Sequence, residues 1–174
     1  MQPTVNSADG AAPPRALAAL AGKYMTFKLA EEAYGLEILR VREIIRFMEV
    51  TRVPRTREFI RGVINLRGKV IPVVDLRLKL GLESCATTEQ SVIIVLNVET
   101  AGRFLTMGVL VDEVLEVLSI TEAQIEPPPP FGAGALDTSF LLGVGKAGDR
   151  VLLLVDIGRV LTGEDASDLT LAAA

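Results

Sequence analysis

From Tyr24 to Asp156 the chain repeats one pattern, a short apolar run followed by a brief cluster of turn-forming or charged residues. YMTFKL (24–29) and LEILRV (36–41) flank AEEAYG. GVINL (62–66) and KVIPVVDL (69–76) flank Arg67-Gly68. SVIIVLNV (91–98) and RFLTMGVLVDEV (103–114) flank ETAG, and FLLGVG (140–145) and RVLLLVD (150–156) flank KAGD. Runs this short, rich in Val and Ile and bounded by Gly, Asn and Asp, predict strands joined into hairpins. The chain is therefore mainly β, a barrel or sandwich. Few helical pieces are expected. TREFIRG (56–62) has the makings of one turn, and DLRLKLGL and DIGRVLTG each begin with an Asp, Asp75 and Asp156, placed to cap a short helix.

The pattern also recurs. Gly35, Val41, Glu43 and Pro54 reappear 73 positions later as Gly108, Val114, Glu116 and Pro127. FIRGVINLRGKVIPVVDLRLKL (59–80) then aligns without gaps, 81 positions on, with FLLGVGKAGDRVLLLVDIGRVL (140–161). A PPPPFGAGALDTS insertion in the second copy accounts for the change of offset. Two similar β units, about 24–82 and 91–162, make up a single domain over 23–163, with tails at 1–22 and 164–174. Each unit is small for independent folding, so the two are expected to share a core and resist separation by a protease.

Composition narrows the chemistry. The 174 residues are 49% hydrophobic but include no Trp and no His, so aliphatic side chains fill the core. Without histidine, a Ser-His-Asp triad and a histidine-based metal site are excluded. The lone cysteine, Cys85, sits in the linker ESCATTEQ and permits no intramolecular disulfide. No run approaches the roughly 20 apolar residues of a spanning helix. ALAALAG (16–22) follows Pro13 and Pro14 and has no basic residue before Arg15, so residues 1–22 read as a flexible tail and not as a leader. Net charge is −4, but residues 36–82 hold 11 of the 18 Lys and Arg against five acids. Such polarity steers association.

YGLEILRVREI, VTRVP, FIRGVINLRGKVIPVVDLR, VIIVLNV and GVLVDEVLEVLSIT closely resemble the CheW family of bacterial chemotaxis coupling proteins. The likeness runs from about Tyr24 to Leu161, and Phe59 to Arg77 is its most specific part. It implies two intertwined SH3-like five-stranded β-barrels sharing a core, with a few short helices. It also implies a non-catalytic scaffold, needing no cofactor, that links chemoreceptor signalling tips to the regulatory domain of the histidine kinase CheA. Such a protein is a monomer when free and cytoplasmic, recruited to membrane-associated arrays without inserting into the membrane.

The resemblance assigns receptor binding to Val41, Glu43 and Arg67, in a groove between the barrels. It assigns kinase binding to Ile38, on the outer face of a strand, and to Phe131, behind the prolines of EPPPPFG. On residue chemistry alone each has a structural reading too. Arg67 lies in a hairpin turn, although Gly148 is its counterpart in the second copy, so the fold does not itself require arginine there. Glu43 recurs as Glu116. Ile38 and Val41 fall on an alternating strand that begins at Leu36 and would serve equally as core. Glu126 stands where the family often has a basic residue, which leaves the charge matching of the Phe131 contact open. Gly62, Gly68 and Gly108 are structural turn positions.

Two other functions compete. A nucleic-acid-binding barrel would use the basic 36–82 half, but Phe47 and Phe59 are its only aromatics and acids interleave its arginines. An enzyme or small-molecule sensor would use the groove between units, yet no acid–base pair can be placed there.

Overall fold

The computed structural model describes residues 17–100, 102–129 and 140–161. The strands are β1 (Gly22–Leu29), β2 (Glu32–Glu37), β3 (Val41–Arg46), β4 (Ile60–Leu66), β5 (Lys69–Asp75), β6 (Val92–Thr100), β7 (Arg103–Val111), β8 (Glu113–Ile120), β9 (Ile125–Glu126), β10 (Leu141–Ala147) and β11 (Arg150–Val155). Three one-turn helices accompany them: α1 (Leu17–Leu20), α2 (Leu76–Lys79) and α3 (Ile157–Val160). The strands form a five-stranded sheet ordered β3-β6-β7-β5-β4 and a six-stranded sheet ordered β8-β1-β2-β11-β10-β9.

These two orders are one order written twice. Strands β1 to β5 of the first sequence unit correspond to β6, β7, β8, β10 and β11 of the second. Substituting one set for the other turns the five-stranded order into the six-stranded one, apart from the two-residue β9. Even β9 has a counterpart, since Thr51 bridges Val63 as Glu126 pairs with Val144. Each sheet thus takes its first hairpin from one unit and its last three strands from the other. The two barrels are intertwined, and neither coincides with the contiguous spans 24–82 and 91–162.

The exchange is made at two parallel seams, β2 beside β11 and β7 beside β5. There Leu154 pairs with Gly35 and Val73 with Gly108. A Cβ on Gly35 would meet Leu154 at 3.0 Å, and one on Gly108 would meet Ile93 at 2.6 Å and Val73 at 3.4 Å. Gly108 is therefore a mid-strand packing position, not a turn. Gly62 is not a turn either. It lies in β4 at a register shift, with φ of +140°, and a Cβ there would meet the Thr51 carbonyl oxygen at 2.0 Å. Of the three glycines expected at turns, Gly68, at φ +84°, is the one in a turn.

Burial explains why the runs are continuous where strands with one wet face alternate. In VIIVL, Ile94 and Leu96 enter a core shared by both sheets, together with Phe27, Leu29, Leu36 and Met107. Ile93 and Val95 point the other way, into a separate core with Ile64, Ile71 and Val73. The opposite barrel has its own filling of Leu20, Tyr24, Ile120, Ile125, Leu152 and Leu154. Leu20 belongs to α1 and is only 2% exposed, and the Tyr24 hydroxyl donates to its carbonyl at 2.6 Å. Residues 17–22, expected in the tail, are thus folded onto the domain.

Asp75 and Asp156 cap α2 and α3 as expected, accepting from the amides of Leu78 (3.3 Å) and Gly158 (2.9 Å). Two local expectations fail. AEEAYG is mostly strand, because the β1–β2 turn needs only Ala30 and Glu31, with Ala30 at φ +53°. TREFIRG forms turns and the start of β4, its closing hydrogen bond running from the Ile60 amide to the Arg57 carbonyl.

Candidate functional site

The hairpin β4–β5 closes through Arg67 and Gly68, at φ +53° and +84°, with Leu66 opposite Lys69. Positive φ at both central residues defines the turn whose twist suits a two-residue hairpin, and it favours Asn-Gly. The Asn65 side chain secures it by accepting from the Gly68 amide at 2.8 Å. Arginine in the left-handed region costs about 1–2 kcal/mol. In the second unit the same position is Gly148, at φ +61°, where no such cost arises. The duplicated fold thus accepts glycine at this position, so the turn itself does not call for arginine.

That side chain reaches β3. The Arg67 guanidinium donates through Nη2 to Glu43 Oε1, closing a charged bridge across a groove of about 340 Å³. The Arg67 side chain is 72% exposed and that of Glu43 29%. Arg42 and Lys69 add positive charge to the rim, and Ile71, Val95 and Leu66 supply an apolar floor. The groove thus presents a planar fork and two further cations around an aliphatic surface.

Glu43 and Arg67 are brought together, but not between the barrels as expected: every residue lining their groove belongs to the five-stranded sheet or its β4–β5 turn, and Val41 stands apart from it. It begins β3 opposite Leu96, and the register slips between it and Glu43. Its half-buried side chain packs against the shared core, at the junction of the sheets. Ile38 differs from expectation. It is not on the outer face of a strand, because Ile38–Arg40 form a 3-10 turn between β2 and β3. Ile38 is half-buried against the same shared core, and the neighbouring Leu39 is 93% exposed. The apolar side chain offered to solvent here is Leu39, which the expected alternation from Leu36 hid. Phe131 lies outside the described residues.

Other features went unread in the sequence. Phe104 on β7 is 81% exposed. Arg150 pairs with Glu116 at 3.5 Å, and Lys146 with Glu126. The gapless alignment of 59–80 with 140–161 hides the first of these pairs, since it sets Arg150 against Lys69 and Gly148 against Arg67. A cavity of about 350 Å³ between the sheets is lined by Leu36, Leu96, Val98 and Ile157, with Arg40 and Arg159 among its charged residues. Among the described residues, no three His, Cys, Asp or Glu gather as a metal site. None of the described helices is long and apolar enough to cross a membrane. Phe47 and Phe59 are half-buried against the cores, with Lys79 Nζ 4.5 Å from the Phe59 ring centroid.

Two interlocked barrels with a charged groove and exposed apolar positions define an adaptor domain. Residues 23–165 match the CheW-like domain family, and the chain belongs to it. It is 43% identical over 143 residues to the chemotaxis protein CheW of Klebsiella aerogenes, covering 82% of this chain and 83% of that one. It is 33% identical over 141 residues to the chemotaxis protein CheW of Rhizobium meliloti, covering 81% and 88%. The crystal structure of the scaffolding protein TtCheW from Thermoanaerobacter tengcongensis superposes with a TM-score of 0.72 at 39% identity, over 83% of this chain and 97% of that one. The chain is a non-catalytic chemotaxis adaptor.

Proposed function

We propose that this adaptor couples chemoreceptor signalling tips to the histidine kinase CheA. The receptor tip binds the groove bridged by Glu43 and Arg67, and its contact extends beyond that groove to Val41, which packs on the shared core. The regulatory domain of the kinase binds the face around Ile38, with exposed Leu39 as its apolar anchor, and a second contact lies at Phe131. The protein is a monomer in the cytoplasm until partners recruit it to membrane-associated arrays. Contacts at different places on one molecule are heterologous, so they extend into rings or lattices.

The observation that carries the receptor assignment is the strained Arg67 (φ +53°) held by Glu43 where the other copy of the fold has Gly148. Titration of the cytoplasmic signalling fragment of a chemoreceptor from the same genome into wild type and Arg67→Ala tests it. The variant should bind at least about tenfold more weakly, the usual effect of removing a charged anchor, while its affinity for the kinase regulatory domain stays the same. Equal receptor affinity for the two proteins contradicts the assignment.

A further inference from the structure

At four of its lining positions, Glu43, Leu66, Arg67 and Lys69, the first groove has a counterpart on the other barrel. Strand β3 maps onto β8 and the hairpin β4–β5 onto β10–β11, by the offsets read in the sequence. Glu43 becomes Glu116, Leu66 becomes Ala147, Arg67 becomes Gly148 and Lys69 becomes Arg150. The structure has a second groove there, of about 310 Å³, lined by Glu116, Leu118, Ala147, Gly148, Arg150 and Gln124. A Glu–Arg ion pair crosses it as in the first, Arg150 Nη2 lying 3.5 Å from a Glu116 carboxylate oxygen. The arginine has moved two residues along the hairpin, from the turn onto the strand, and glycine has taken the strained turn position. Exposed Ile44 and Val70 on the strands of the first groove correspond in sequence to exposed Val117 and Val151 on those of the second, although none of the four lines a groove.

We infer that the groove at Glu116 and Arg150 is a second docking site for the same receptor signalling segment, weaker than the first. This rests on the receptor reading of the first groove. The occupant follows from the shared chemistry, a carboxylate and a guanidinium facing each other over an aliphatic floor between an edge strand and a hairpin. The ranking follows from charge. Arg42, Arg67 and Lys69 surround one acid in the first groove, whereas Arg150 stands alone beside Glu116 in the second. Arg42 has Leu115 in its place and Arg67 has Gly148. An acidic segment is thus drawn to the first groove more strongly, and the difference narrows as salt is added. A chain with two such sites bridges two receptors as well as receptor and kinase.

The test uses the full chain, with the cytoplasmic signalling fragment of a chemoreceptor from the same genome as probe. Calorimetric titration should show two sites per chain, the second weaker by about tenfold or more. Arg150→Ala should remove only the weaker site and Arg67→Ala only the tighter one. Both arginines are more than half exposed, so neither variant is expected to unfold; circular dichroism checks this. A single site abolished by Arg67→Ala and unaffected by Arg150→Ala overturns the second site and leaves the receptor reading standing. Absence of binding to the wild-type chain overturns both.

Discussion

Arg67 at the tip of the β4–β5 hairpin and Glu43 on β3 form a charged bridge between two elements that share no direct strand pairing, since β3 and β5 lie at separate places in the sheet order. Its Arg67 end is largely exposed, so the contribution of the bridge to stability is at most about 1 kcal/mol. The left-handed backbone of Arg67 costs a similar amount. Arg67→Gly, which copies the second unit, should therefore leave stability unchanged or raise it by up to about 1 kcal/mol, while receptor binding falls. Urea denaturation and receptor titration on the same preparation check both halves. A large loss of stability would assign Arg67 to the fold.

Buried Thr26 is the polar pin of the β1–β8 pair. Its hydroxyl donates to the Glu116 carbonyl at 2.6 Å and accepts from the Glu116 amide at 3.0 Å, where the register slips between Met25 and Phe27. Thr26→Val keeps the shape and leaves both backbone groups unpaired, at a cost of about 1–3 kcal/mol. Thr26→Ser should recover most of that in chemical denaturation.

The glycines separate by geometry. Gly62→Ala drives a Cβ to 2.0 Å from the Thr51 carbonyl oxygen and should cost more than about 3 kcal/mol or abolish folding. Gly68→Ala meets open space and should cost only the backbone term, about 1 kcal/mol. Thermal melts of the two variants distinguish them. Similar losses would contradict the close approach of Gly62 to the Thr51 carbonyl.

Asp112 ties the two sheets at the β7–β8 junction. Its Oδ2 accepts from the Ala30 amide of the β1–β2 turn at 2.8 Å and pairs with Arg77 of α2, whose Nε donates to the Glu83 carbonyl at 3.0 Å. Asp112→Ala leaves both a part-buried amide and a guanidinium, only 16% exposed, without this acceptor. It should cost about 2 kcal/mol, most of it absent if Arg77 is replaced by Met as well. A double-mutant cycle in urea measures the coupling.

Tyr34 stacks on Phe27 with ring centroids 5.6 Å apart, and burial, aided by nearby Glu32, raises its hydroxyl pKa above the usual 10. The unfolded chain therefore ionises this tyrosine first, and the folded state loses stability as pH rises above about 10. Tyr34→Phe should flatten that alkaline decline. An unchanged profile would show that other groups set it.

Strand content and turns were legible because the residues that make them are local. Arg67-Gly68 and KAGD announce hairpins, and Asp75 and Asp156 announce caps. The duplication was legible too, through Gly35 and Gly108, although their reason, room beside Leu154 and Val73 at the parallel seams, is a tertiary fact. The exchange of hairpins between units was not readable, since a strand's partner leaves no mark on its own sequence. Ile38 misled for a related cause: Leu36 to Val41 has strand composition, and only the need to carry the chain from one sheet to the other breaks it into a 3-10 turn. The Glu43–Arg67 pair was assembled from the family resemblance. The Glu116–Arg150 pair was missed because Arg150 aligns with a lysine.

The central claim is that receptor tip and kinase domain bind one chain at once. Ile38 and Val41 lie close in sequence and pack on the same shared core, so simultaneous binding is a demanding condition. The most direct measurement is sedimentation of the chain with the CheA regulatory domain and the receptor signalling fragment, separately and together. The account predicts a complex containing all three, in which Arg67→Ala reduces the receptor fragment carried to what the weaker groove holds and leaves the kinase domain bound. Displacement of one partner by the other would contradict it.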